Sequence, residues 1–89
     1  MIDIFKSEIS ELDKLFWHSI YDELIKQING EIQILYNDFN DSIIVKVIID
    51  RFNYTVCMTF PRMKEFERYK ILDQILQFVR YNIYEVVFK

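Results

Sequence analysis

The chain of 89 residues contains no alanine and only one each of glycine, proline, cysteine, histidine and tryptophan. Each scarcity removes a class of function. One cysteine excludes an internal disulfide and points to a reducing compartment. One glycine leaves no glycine-rich loop to cradle a phosphate. One histidine leaves no H-E-x-x-H pair, and neither C-x-x-C nor G-x-S-x-G occurs. With so little glycine and proline there is no flexible linker, and no repeat or low-complexity segment is visible. No apolar run approaches the roughly 20 residues that a membrane span needs. The opening stretch MIDIFKSEIS lacks a basic region followed by an apolar one, the mark of a signal peptide. These absences predict a single soluble domain over residues 1–89, cytoplasmic, in the host cytoplasm if the protein is viral.

Basic charge is also scarce. The formal net charge is −3. Nucleic-acid affinity comes mostly from lysine and arginine neutralising phosphates, which an acidic domain is poorly equipped to supply. What the chain has instead is apolar surface. Hydrophobic residues make up 52% and aromatic residues 17%. That is a folding composition, and it offsets the small fraction of surface a chain this short can bury. Isoleucine, lysine, asparagine, phenylalanine and tyrosine are plentiful. Their codons are mostly AT-rich, whereas those of alanine, glycine and proline are GC-rich. The bias is that of an AT-rich genome, such as a low-GC bacterium, its phage or another virus.

Apolar periodicity divides the chain. Phe5, Ile9, Leu12, Phe16 and Ile20 recur at helical spacing, with Trp17, Leu24 and Ile28 continuing the stripe, which predicts a long helix over roughly 4–29. Asn29-Gly30 reads as its stop, with Gly30 in the left-handed conformation. Residues 31–36 and 54–60 alternate apolar and polar, as strands do. So does 42–50, SIIVKVIID, where Ile43, Val45, Val47 and Ile49 form one face. Its other face carries Ile44, Lys46, Ile48 and Asp50 and is half apolar. Short connections make these three strands an antiparallel meander. A second helix is predicted over roughly 68–82, with Ile71, Leu72, Ile75, Leu76 and Val79 on its apolar arc, and a short final strand over 83–88. The expected fold is α+β, a two-layer α-β-β-β-α-β domain. Two helices pack on one face of a three- to four-stranded sheet.

Chemistry-bearing residues are isolated. His18 stands alone on a polar helix face, whereas a metal site takes three or four ligands. Cys57 lies mid-strand between threonines, away from the helix N-terminus or cation that activates a thiol. The segment NDFND lacks the spacing and final glutamate of a calcium loop. The reading is no catalysis, no cofactor and no metal.

Two surfaces invite partners. Helices covering Val45, Val47, Val56 and Met58 leave Leu35, Ile44, Ile48 and Cys57 on the far side of the sheet, and monomers seldom leave large apolar patches uncovered, so the final strand or the lead-in to helix 2, a second copy or another protein is expected to cover them. Trp17, Tyr21 and Ile25 form a second candidate on helix 1, as an interface or as core. A third feature is the basic set Arg62, Lys64, Arg68 and Lys70 at the start of helix 2, interleaved with Glu65 and Glu67. Helix, three strands and helix resemble the double-stranded-RNA-binding domains in element order, and those domains use a lysine-rich start of the second helix. The order is also similar to that of small phage-encoded inhibitors of bacterial defence and of acidic secretion chaperones, although no motif of these families is present. The sequence therefore predicts a small acidic protein-binding module. It would act as an inhibitor or adaptor on a larger protein or pair with a second copy, and be encoded by a phage or mobile element of anti-defence type. The alternative is a nucleic-acid-associated domain using Arg62, Lys64, Arg68 and Lys70.

Overall fold

The computed structural model describes residues 2–49, 54–61 and 68–82. Strand β1 (Ile2–Asp3) leads into a 3-10 turn (Ile4–Lys6) and helix α1 (Glu11–Gln27). Three strands follow, β2 (Glu31–Asn37), β3 (Ser42–Ile49) and β4 (Tyr54–Pro61), and then helix α2 (Arg68–Asn82). The four strands form one antiparallel sheet in the order β1-β2-β3-β4. The architecture is α+β, with the meander and the second helix where periodicity places them.

Helix 1 is shorter than its apolar spacing predicts. Ser10 caps α1, its Oγ accepting a hydrogen bond from the Asp13 backbone N–H at 3.2 Å. Glu11 and Asp13 place negative charge in the first turn, where the helix dipole favours it. The residues before Ser10 are held otherwise. Ile4 is completely buried, Asp3 Oδ1 accepts from the Phe5 N–H at 2.9 Å, and Ser7 Oγ donates to the Ile4 carbonyl at 2.6 Å. Phe5 and Ile9 thus reach the core from a turn and from the bend that follows it. The fourth strand comes from this N-terminal stretch. The expected strand over 83–88 lies outside the described residues.

The end of α1 also differs. Its last helical residue is Gln27, and Ile28 caps it in an extended conformation (φ −110°, ψ 133°). Gly30 has no positive φ, so the left-handed stop is not what the position requires. Space is the requirement. A Cβ on Gly30 would lie 2.7 Å from the Ile48 carbonyl oxygen and 2.7 Å from Ile49 Cδ1. Among the described residues the left-handed one is Asp41 in the β2–β3 turn (φ 53°), a conformation that aspartate tolerates. Tyr36 Oη donates to Asp41 Oδ1 at 2.6 Å across that turn.

Both helices lie on the face formed by Ile43, Val45, Val47 and Ile49, each of which is buried. The register sets Ile32 and Ile34 of β2 beside Val47 and Val45, and Met58 and Phe60 of β4 beside Val45 and Ile43. Helix α1 inserts Trp17, Ile20 and Leu24, and α2 inserts Ile71, Ile75, Leu76 and Val79. Trp17, Ile20 and Leu24, and Ile71, Ile75 and Val79 with Leu76 beside them, keep the three- and four-residue spacing of one helix face. Leu12, expected in the buried stripe, is 79% exposed, because the sheet lies against the 17–20–24 side of the arc.

Candidate protein-binding surface

The far face of the sheet is built in three cross-strand rows. Leu35, Ile44 and Thr59 form the first, Gln33, Lys46 and Cys57 the second, and Glu31, Ile48 and Thr55 the third. Leu35, Ile44 and Ile48 are half-buried, while Thr55, Cys57 and Thr59 are exposed. The expected residues share one face, but its apolar part is divided. Leu35 and Ile44 are direct neighbours. Ile48 stands two rows away, about 13 Å along the strand, with the Lys46 row between them. The face is a mixed surface with one apolar pair and one apolar outlier.

The helix-1 candidates separate. Trp17 is 4% exposed, its ring 5.2 Å from that of Phe16 and 6.0 Å from that of Phe60. It belongs to the core and presents almost no area to a partner. Tyr21 is half-buried at the surface, with its ring edge-on to Phe5 at 6.1 Å and 6.4 Å from His18.

Tyr21 and Leu35 meet in a feature that periodicity did not anticipate. A groove of about 630 Å³ runs along the outer edge of β2. Its floor is the segment 31–35 and its walls are Asp3, Phe5, His18 and Tyr21. His18 packs its ring 5.3 Å from Phe5, and its Nδ1 lies 3.2 Å from Asp22 Oδ2. It is exposed, as a surface histidine is, and it also braces the aromatic wall. Among the described residues Asp3 and Glu31 are the charged lining groups, and neither lysine nor arginine lines the groove. Lys46 stands one strand further in, on β3. A sequence signal for this groove was present in Ser10-x-x-Asp13. That pair ends the N-terminal stretch before α1 and so frees residues 2–6 to form the wall.

The remaining chemistry stays dispersed. Among the described residues no group of three or more histidine, cysteine, aspartate or glutamate side chains could hold a metal ion. Cys57 is exposed and in no disulfide. Among those residues no helix is long and apolar enough to cross a membrane. Of the basic set, Arg68 opens α2 and Lys70 is exposed in its first turn, while Arg62 and Lys64 lie outside the described residues. No family model, curated protein or solved structure matches the chain.

Proposed function

We propose that this chain is a non-catalytic protein-binding module, an inhibitor or adaptor acting on a larger protein, encoded by a phage or mobile element. The observation that supports this most is the open side of the sheet. Leu35 and Ile44 form an apolar pair there, and Leu35 also lines the groove that holds Tyr21. Helices cover the opposite face, and among the described residues no element covers this one. An acidic chain offering a partly apolar sheet surface suits a protein partner better than a phosphate backbone. The anti-defence role is part of the proposal and rests on composition and element order.

The test is affinity capture from cells of the source organism with the wild-type chain and with the Ile44→Thr, Ile48→Thr double variant. Threonine keeps strand propensity and removes apolar area. The expected result is a partner enriched by the wild type and lost with the variant, which stays folded by circular dichroism. Equal capture by both chains overturns this surface as the contact.

A further inference from the structure

We propose that the open edge of β2 accepts an extended, lysine- or arginine-bearing segment of the partner as an added strand. This rests on the protein-binding reading and names the chemistry of the contact. Among the described residues strand β1 pairs with β2 only at Ile2–Tyr36 and Asp3–Leu35. It ends there because the buried side chain of Ile4 and the Asp3 cap on Phe5 turn the chain away from the sheet. Among the described residues no strand pairs with the outer edge of 31–34. In an antiparallel strand every second residue directs its N–H and C=O to the same side, so this edge presents main-chain donors and acceptors. Such an edge is a template for another extended chain.

The surroundings specify what kind of chain. The turn that ends β1 carries Phe5 over the edge, where its ring meets His18 and Tyr21. Side chains of an added strand alternate between two faces. Those on the helix side meet this aromatic wall and take apolar groups. Those on the far side meet Glu31, Gln33 and Leu35, the residues of β2 on that face. The charges lining the groove are acidic, Asp3 and Glu31, with Asp22 held nearby on His18. An alternating apolar and basic segment is complementary on both faces. A second copy of the chain is not, because edge-to-edge pairing would bring two acidic grooves together. Main-chain pairing with alternate side-chain pockets is a recurring mode of peptide recognition.

The probe is the acetylated, amidated heptapeptide of alternating lysine and valine, titrated into the ¹⁵N-labelled full chain. The expected result is saturable shifts at the amides of 31–35 and at the rings of Phe5 and Tyr21. Of two analogues, N-methylated on the odd or on the even residues, one binds at least tenfold more weakly and the other does not. Glutamate in place of the lysines abolishes binding, and Glu31→Lys weakens it at least threefold. The proposal is overturned if 31–35 do not shift, if both analogues bind like the parent, or if sedimentation shows the edge already occupied by a second copy. A partner captured through Ile44 and Ile48 while the peptide leaves 31–35 unmoved overturns the edge proposal and leaves the protein-binding reading standing. Peptide binding at 31–35 with capture unaffected by that double variant supports the edge and moves the contact away from the open face.

Discussion

The two faces of β3 are made by one continuous stretch of chain, and they do different work. Ile43, Val45, Val47 and Ile49 are at most 2% exposed and pack under both helices. Ile44, Lys46 and Ile48, interleaved with them, are only half-buried. The residue types overlap, since isoleucine stands on both sides. Location relative to the helices, rather than hydrophobicity, decides which isoleucine is fully buried and which is half-buried. On the covered face each side chain has neighbours on the sheet and above it. On the other face the neighbours among the described residues are lateral, and a polar row separates the apolar ones.

That difference can be attacked residue by residue. The largest effect is expected on the covered face. Ile43→Ala should cost about 2–5 kcal/mol in denaturant unfolding, a large share of the stability of a domain this small. A smaller loss would mean that the site collapses around the cavity or that this face is less closely packed. Gly30→Ala comes next, at about 1–3 kcal/mol, because its Cβ drives into the Ile48 carbonyl oxygen and the Ile49 side chain. The same loss should shrink in the Ile49→Val background, where one of the two obstructing atoms is gone. Additive losses in that double-mutant cycle would remove the steric account. Ser10→Ala should cost about 1 kcal/mol by unpairing the Asp13 N–H, with the loss seen as fraying of the first turn of α1 in hydrogen exchange. The smallest effect is expected for the pair His18→Gln and Cys57→Ser, within about 0.5 kcal/mol at each exposed site. Any catalytic activity found for the chain should survive both changes. Loss of activity in a folded double variant would reopen catalysis.

Local patterns made much of the fold readable. Alternation over 42–50 and 54–60 identified β3 and β4, and the arc of Ile71, Ile75, Leu76 and Val79 identified α2, because burial on one face leaves its period in the sequence. What stayed hidden was set by distant contacts. Phe5 and Ile9 continue the helical spacing of α1, yet a two-residue strand forms at Ile2–Asp3 because Tyr36 and Leu35 stand ready to pair with it. Trp17 and Leu12 both lie on a wide apolar arc, and only the position of the sheet decides that the first is buried and the second exposed. Gly30 was legible as special, but the reason lies in the approach of β3. For the candidate surface, strand parity placed Leu35, Ile44 and Ile48 on a common face. Their division by the Lys46 row and the groove at the β2 edge depend on register and on the path of the N-terminal turn, which periodicity does not carry.

The most direct test of the two-face account compares two double variants of the same strand by chemical denaturation. Val45→Thr with Val47→Thr puts two hydroxyls into the core, at about 1–3 kcal/mol for each buried polar group without a partner. Ile44→Thr with Ile48→Thr makes the same kind of change on the open face and should cost about 1–2 kcal/mol in total, since half-buried side chains lose less apolar area. The account predicts that the first pair loses at least twice the stability of the second, which remains a folded monomer. Equal losses from the two pairs would contradict it, because Ile44 and Ile48 would then be core residues.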